Sequence, residues 1–272
     1  AVRDLFVSEV LRGEFDDIAE LNYRGSQYGV RLEGDVMFAA FFMILNSGKF
    51  DKRSIIKHVE GSLPEGFTGC GKDRTDRDLI PFAFAANTED IRILHRRFSS
   101  LLESLDKSLN LACIISIGTM ETNPQGIELS RQKAIVALRY QQLYRTNDVQ
   151  FFDEMDIDIG NVEKITEELC VCRDEIIKHV LSGDAEAAET CIDTYVEKIQ
   201  HWSLNPVFAK SFMYLLLNRL HLLIRESGIV PERIVDKLIN VDIPMGFDSV
   251  AQFESITKKI CRYIAENSTA SN

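Results

Sequence analysis

Cys170 and Cys172, with a single residue between them, are the first candidates for a chemical role, because cysteine thiolates bind zinc and other soft metals. The surrounding pattern predicts a helix, on which residues two apart point about 200° away from each other and cannot share one ion. The five histidines show no ligand spacing either: His58, His95, His179, His201 and His221. The sequence therefore predicts no metal site, and it predicts buried helix thiols at residues 170 and 172.

A phosphate-binding loop is the second candidate. Gly69-Cys70-Gly71-Lys72 contains a Gly-x-Gly-Lys string, but it lacks the rest of a Walker loop and does not open a predicted helix. The glycine fingerprint of dinucleotide-binding folds is absent from the sequence as well. We therefore expect no bound cofactor and no catalytic residue, and the residues that would contact an effector stay unassigned.

Composition limits the classes of function. The chain has 272 residues, 45% of them hydrophobic and 27% charged, which is ordinary for globular proteins and enough for about two domains. A net charge of −11 disfavours direct binding to nucleic acid, because an acidic surface repels phosphates. The longest apolar run, residues 36–45, is about half of a membrane span. With no signal-peptide pattern and six scattered cysteines, we expect a cytoplasmic segment without membrane insertion.

The elements that must position any functional group change in type along the chain. Residues 1–33 predict a helical lead-in, with helices near residues 5–11 and 15–24. Residues 34–158 predict an α/β domain. Its first strand, Val36–Leu45, is apolar on both alternating faces, as in a central strand that is covered on both sides. The later elements alternate as helix, strand, strand, helix, strand, helix and strand: 54–63, 67–71, 79–86, from Thr88, 111–118, 128–144 and 149–152.

Three local signals in this domain make specific predictions. Residues 72–78 are polar, and six of the seven are charged, which is typical of a solvated hairpin tip. Pro81 cannot donate to a strand ladder, so we expect the second hairpin strand at or near a sheet edge. Thr88 precedes Glu89 and Asp90 and is the predicted N-cap of the long helix.

Residues 159–272 predict an all-helical domain, so the fold class is α+β followed by all-α, with a boundary near 158–162. Helices fit residues 162–182, 185–201, 206–227, 231–240 and 249–266. The helix over 206–227 is hydrophobic around most of its circumference, which indicates either the centre of a bundle or an oligomer interface. Trp202, between two predicted helices, has a packing role or stacks on a ligand.

Three stretches carry a resemblance to a known family. The first is residues 4–13, a short helix before the first strand. The second is Ile115-Ser116-Ile117-Gly118, the end of a strand that precedes a helix. The third joins that helix to a closing strand, and it consists of Ser130, Ala134, Ala137, Leu138, Tyr140 and residues 149–153.

Together with residues 182–186, which open a helix pair, these stretches make the chain resemble the regulatory region of AraC-type transcription regulators. Many regulators of this type are response regulators or membrane-linked proteins of Gram-positive bacteria. In that region a degenerate form of the GGDEF nucleotide-cyclase fold is followed by a helical domain. The resemblance implies this fold for residues 34–158, and it implies a helix-turn-helix DNA-binding domain beyond residue 272.

The resemblance also defines what catalysis would require. An active cyclase of this fold needs a carboxylate on its first strand and a Gly-Gly-acid-acid hairpin, which together hold two Mg²⁺ ions. The strand 36–45 contains no acid, and Asp35 only precedes it. The hairpin region has Gly71-Lys72-Asp73-Arg74-Thr75-Asp76, whose basic residues would compete with a metal for the carboxylates. The sequence therefore predicts a chain without enzyme activity.

The expected function follows from these points. We expect a sensory, signal-transmitting regulatory region that reaches DNA only through the downstream DNA-binding domain, with a homodimer as a further partnership. The alternative is a module that binds a nucleotide or another small effector on the degenerate cyclase fold. An active nucleotidyl transferase is the third hypothesis, and it would make product from GTP only with Mg²⁺.

Overall fold

A computed structural model describes most of the chain: residues 2–46, 51–73, 78–146, 148–155, 162–202, 204–226 and 247–268. The chain divides into two compact units, the first made of Ala1–Gln141 and Thr146–Met155, the second of Gln142–Arg145 and Asp156–Asn272. The helices of the lead-in, within residues 1–33, belong to the first unit with the sheet. Most of the predicted boundary, at 158–162, lies outside the described residues.

The first unit has the α+β element order that the sequence predicts, with ends that differ by up to three residues. Its helices are α1 Val2–Leu11, α2 Ile18–Ser26, α3 Lys52–Gly61, α4 Ile91–Leu109 and α5 Gly126–Tyr144. Its strands are β1 Val36–Ile44, β2 Phe67–Gly71, β3 Leu79–Ala86, β4 Cys113–Ile117 and β5 Val149–Phe151.

The five strands form one mixed sheet in the order β2-β3-β1-β4-β5. β1 lies at the centre and is antiparallel to both β3 and β4, whereas β4 and β5 are parallel. α3 and α4 pack on one face of the sheet, and α1, α2 and α5 pack on the other. Both faces of β1 are therefore covered, as its unbroken apolar run predicts.

β3 lies near the sheet edge, as Pro81 predicts, but it is not the edge strand itself, because β2 pairs with its outer side. The Pro81 carbonyl accepts a hydrogen bond from the Lys72 N–H at 3.0 Å, so the Pro81 nitrogen also points toward the β2 side. Pairing between β2 and β3 stops at Gly71 and Phe82. The position at which Pro81 lacks an N–H therefore lies just past the end of β2, so no hydrogen bond between β2 and β3 is lost.

Two helices begin later than predicted because an aspartate caps each of them. The Asp90 carboxylate accepts from the Arg92 N–H at 2.9 Å, so α4 is capped by Asp90 rather than by Thr88. Asp17 accepts from the Glu20 N–H at 2.8 Å, and α2 begins at Ile18. In both cases the side chain binds a backbone donor of the first helical turn, which otherwise has no partner in the helix.

The second unit is helical, apart from its connections, throughout its described residues. Its helices are α6 Val162–Leu181, α7 Ala185–His201, α8 Pro206–Glu226 and α9 Val250–Ser268. One hydrophobic core joins all four helices and includes Ile176, Ile192, Leu216 and Ile264. The predicted helix over 231–240 lies outside the described residues.

In the described part of the chain, one helix, spanning Pro206–Arg225, is long and apolar enough to cross a membrane by length and composition alone. A face of this helix, including Ala209, Met213 and Leu220, is buried in the core of the second unit. A core helix of a soluble protein passes the same test, and the structure is compatible with a soluble protein.

Candidate functional site

The acids that the cyclase chemistry would combine lie at opposite ends of the sheet. Met43 of β1 pairs with Leu79 of β3, and the Ile44 N–H donates to the Asp78 carbonyl at 2.8 Å, so the β2–β3 connection lies at the carboxyl end of β1. Asp35 precedes the amino end of β1, about 30 Å away at roughly 3.3 Å per residue. Asp35 therefore cannot share a metal ion with Asp73 or Asp78, the described acids beside the hairpin, whereas residues 74–77 of the predicted hairpin tip, including Asp76, lie outside the described residues.

Charged side chains from α1 and α3 meet Asp73, which follows β2, and we call these residues the hairpin-base cluster: Arg3, Asp4, Arg53, Glu60 and Asp73. Arg3 pairs with Glu60 and also donates to the Gly71 carbonyl at 3.0 Å. Glu60 accepts from the Gly71 N–H at 2.9 Å. Arg53 donates to the Asp73 carboxylate at 2.8 Å, and the Asp73 N–H donates to Asp4 at 3.3 Å. The cluster ties α1 and α3 to the base of the hairpin.

The charged groups of this cluster neutralise one another and hold α1 and α3 against β2, and they do not leave carboxylates available for a metal ion. Each of the three carboxylates has an arginine or a backbone N–H as its partner. The hydrogen bond that Arg53 donates to the Asp73 carboxylate raises the pKa of Arg53 above its ordinary value, so this guanidinium stays charged. A divalent ion would have to displace Arg3 or Arg53 to reach the acids, which makes the arrangement a poor cation site.

α5 packs directly on the sheet at a glycine. The β1–β4 pairing ends at Ala40 and Ile117, and the next N–H of β1, that of Ala39, donates to the Ser130 hydroxyl at 2.9 Å. The Ala39 carbonyl accepts from the Gly118 N–H at 3.0 Å. A side chain at Gly118 would overlap the Ser130 backbone. Gly118 and Ser130, two of the residues that carry the family resemblance, therefore form the close contact between α5 and the sheet.

The far end of α5 belongs to the other unit. Gln141 is buried in the first unit and donates to the Ile115 carbonyl of β4 at 3.1 Å. One residue later the second unit begins, where Leu143 is buried in the helical core and the Tyr144 hydroxyl donates to the Leu204 carbonyl at 2.8 Å. A single continuous helix therefore carries side chains that are fixed in each of the two units.

The cysteines are free thiols, and three of them are electrostatically unsuited to reactions at neutral pH. Burial raises the pKa values of Cys70, Cys113 and Cys261 to about 12, so these thiols are protonated and are neither nucleophiles nor metal ligands. Among the described residues, no three His, Cys, Asp or Glu side chains form a group that could hold a metal ion.

One cleft of about 260 Å³ opens between the end of α3, the start of β2 and α4. Its lining mixes apolar side chains with serines and one arginine, and the Arg97 guanidinium lies 5.6 Å from the centre of the Phe67 ring. His58 and Ser104 share a hydrogen bond of 3.0 Å beside it. The lining residues are Ser62, Leu63, Pro64, Phe67, Arg97, Phe98, Ser100, Leu101 and Ser104.

Sequence reasoning missed the partners of several of these residues. Arg3 and Glu60 lie 57 positions apart, and no local pattern links them. The cleft is likewise assembled from three elements, and its residues have no spacing that predicts a site. Trp202 packs against the helical core, with the Lys198 ammonium 5.2 Å from its ring centre.

No protein-family model matches the chain, and no curated protein sequence matches it.

Proposed function

We propose that this chain is the non-catalytic, signal-transmitting regulatory region of a bacterial AraC-type transcription regulator that works in the cytoplasm. It acts on DNA through a helix-turn-helix domain that follows residue 272, since the chain itself is acidic. The strand and helix order of the first unit, followed by a helical unit, supports this assignment.

The observation that carries the proposal is the sharing of α5 between the two units. A change in the sheet that moves Ser130 or Gln141 also moves the helix that bears Leu143 and Tyr144, because an α-helix resists bending over a few turns. The input reaches the sheet through α1, which the hairpin-base cluster ties to β2. Transmission of a signal along α5 therefore requires no catalytic step. The carboxylates of the hairpin-base cluster are already bound by arginines and backbone N–H groups, which favours a role without catalysis.

Transmission through α5 predicts that damage in the first unit is felt at Trp202, the only tryptophan, which lies in the second unit. Ser130→Ala leaves the buried Ala39 N–H without its acceptor, at a cost of about 1–3 kcal/mol to the first unit. We expect the urea unfolding transition followed by Trp202 fluorescence to lose at least about 0.5 kcal/mol as well, although Ser130 and Tyr144 are about 21 Å apart along the helix.

The control is Gln132→Ala, two residues further along α5 on an exposed position, which should leave the Trp202 transition unchanged. Amide hydrogen exchange should report the damage to the first unit in the same samples. A Ser130→Ala protein with a destabilised sheet and an unaltered Trp202 transition would contradict transmission through α5. The transcriptional assignment has a separate test, because a basic helix-turn-helix module must be encoded directly after residue 272.

A second candidate function is favoured by the cleft between α3 and α4. At about 260 Å³ it is smaller than the roughly 300–1,000 Å³ of most ligand pockets, so it fits a small effector or one part of a nucleotide. A ligand there should be anionic, because Arg97 is the charged group among its lining residues.

If the cleft is an effector site, a thermal-shift screen with GTP, cyclic dinucleotides and small aromatic carboxylates should give a stabilisation that Arg97→Ala abolishes. Arg96→Ala is the matched control, because the neighbouring Arg96 is exposed and does not line the cleft. A screen without any stabilising ligand, or a stabilisation that survives Arg97→Ala, would reject this second function.

A further inference from the structure

The two edges of the sheet differ in how they are kept from pairing with another chain. β5 forms one edge and has only three residues, so it offers a partner little backbone. β2 forms the other edge with the five residues Phe67-Thr68-Gly69-Cys70-Gly71, which include no charged residue and no proline. Charged residues and prolines are common devices that keep an edge strand unpaired. Any protection of β2 therefore comes from other elements.

The pairing with β3 determines which backbone groups of β2 point outward. The Lys72 N–H donates to the Pro81 carbonyl of β3 at 3.0 Å, so the Lys72 backbone points toward β3. In an antiparallel pair this direction alternates from residue to residue. The N–H and C=O groups of Gly69 and Gly71 therefore point away from β3. A sixth strand would bind these outward groups.

Side chains from both faces of the sheet occupy the outward groups near the end of β2. The Gly71 carbonyl accepts from Arg3 at 3.0 Å, and the Gly71 N–H donates to Glu60 at 2.9 Å. The Asp73 N–H, two residues further on, donates to Asp4 at 3.3 Å. Arg3 and Asp4 belong to α1 on one face, and Glu60 belongs to α3 on the other. We call Arg3, Asp4 and Glu60 the edge cap.

The edge cap takes the place of a neighbouring strand. Such a strand would offer Gly71 one N–H donor and one carbonyl acceptor; here Arg3 supplies the donor and Glu60 the acceptor. The two side chains also form an ion pair, and they are only 32% and 25% exposed, so water competes weakly for them. At the start of β2 the Phe67 N–H donates to a carbonyl of the preceding turn, so Gly69 lies between two covered positions.

We propose that the outer edge of β2 is a docking site for an extended polypeptide strand, and that the edge cap keeps this site closed. The partner is selected by its backbone, because the covered groups are backbone N–H and C=O groups and the outward residues of the site are glycines. Two of the three cap residues, Arg3 and Asp4, lie on α1, so a displacement of α1 opens the edge. The inference does not depend on the proposed role in transcription.

Peptide binding to the 272-residue chain tests the proposal. The probe is a fluorescein-labelled peptide of about seven residues in which threonine and valine alternate, a composition that favours extended backbone. Arg3→Ala combined with Glu60→Ala, the open variant, removes one positive and one negative charge, so the net charge stays at −11. Fluorescence anisotropy should show that the open variant binds the peptide at least about tenfold more tightly than the unmodified chain does.

Arg31→Ala combined with Glu33→Ala is the matched control. It deletes an ion pair of the same charges that is 73% and 52% exposed and lies outside the edge cap, so peptide binding should stay as in the unmodified chain. A second control is the same peptide with proline at two adjacent central positions. It should not bind the open variant, because proline lacks the N–H that strand pairing needs. Amide NMR should place the unmodified peptide at Gly69 and Gly71.

Circular dichroism must show that the open variant is folded, because Gly71 loses two hydrogen bonds when both side chains are removed. Should the open variant unfold, Arg3→Ala alone replaces it. Glu60 then still covers the Gly71 N–H, and the carbonyl is released. This single variant should bind the peptide more tightly than the unmodified chain does, although by less than about tenfold.

Three results would overturn the proposal. The first is a folded open variant that binds the peptide no better than the unmodified chain, which would make the edge cap a structural contact only. The second is an unmodified chain that already binds as tightly as the open variant, because its edge would then not be closed. The third is binding that the proline peptide retains, which would assign the peptide to another surface. Transmission through α5 is tested separately by Ser130→Ala.

Discussion

Gly118→Ala is expected to unfold the first unit or to destabilise it by about 3 kcal/mol or more. An added Cβ would lie well inside 3.0 Å of the Ser130 carbonyl, an approach that real Cβ atoms essentially never make. The obstacle is backbone, so no side-chain rotation relieves it, and the whole of α5 would have to move off the sheet. Overpacking of a rigid core costs about 1–3 kcal/mol, and more where backbone must shift. Urea denaturation followed by hydrogen exchange of β1 and β4 measures the loss.

Gly61→Ala supplies the control for this substitution. Gly61 is the last residue of α3, and an added Cβ there meets no atom within 4 Å. Alanine is also the better helix former, so the stability of the first unit should be unchanged or slightly higher. If Gly118→Ala were as harmless as Gly61→Ala, α5 would not be seated on Gly118 as the structure has it, and the proposed route through α5 would lose its starting point.

The strand and helix order of the first unit was predictable because its signals are local. The run over Val36–Ile44 is long enough and apolar enough to indicate a central strand without knowledge of its neighbours. The neighbours themselves were not predictable. Pro81 indicates a strand at or near an edge by local chemistry, but it does not reveal that β2 is the edge strand and that β2 ends before it reaches the proline nitrogen.

The candidate site was less predictable because its contacts join distant parts of the chain. The spacing of Ser130, Ala134 and Ala137 predicts a helix with a small-residue face, and these residues do lie against the sheet. The Ser130 hydroxyl accepts from the Ala39 N–H only because β4 stops before it reaches Ala39. Ser130 and Ala39 are 91 positions apart in the sequence, so no local pattern links them. Likewise, the apolar character of α8 indicated a core or an interface, and only the burial of each residue separates its two faces.

The core on the α3 and α4 side of the sheet depends on one aromatic ring more than on any other. Phe84 of β3 is fully buried and lies within 5.3–6.3 Å, between ring centres, of four phenylalanines: Phe38, Phe42, Phe82 and Phe98. The backbone of Gly69 closes the remaining side, since a Cβ there would be 2.5 Å from the Phe84 ring. With rings and backbone around it, the site has little freedom to collapse when the ring is removed.

Phe84→Ala should therefore cost about 3–5 kcal/mol, which is a large part of the roughly 5–15 kcal/mol of a typical domain. The free energy of unfolding in urea, followed by circular dichroism and by hydrogen exchange of β1 and β3, measures it. Phe208→Ala is the matched control, because it deletes the same ring from the exposed face of α8 and should cost less than about 1 kcal/mol in dilute solution.

The cavity left by Phe84→Ala gives this prediction a second readout. An apolar cavity that cannot collapse stays dry and binds benzene, so benzene should raise the melting temperature of Phe84→Ala but not that of the unmodified chain or of Phe208→Ala. A small loss of stability without any response to benzene would mean that the neighbouring rings move into the vacated space. The sheet would then be deformable on this face, and α5 on the other face would rest on a softer support than the transmission mechanism requires.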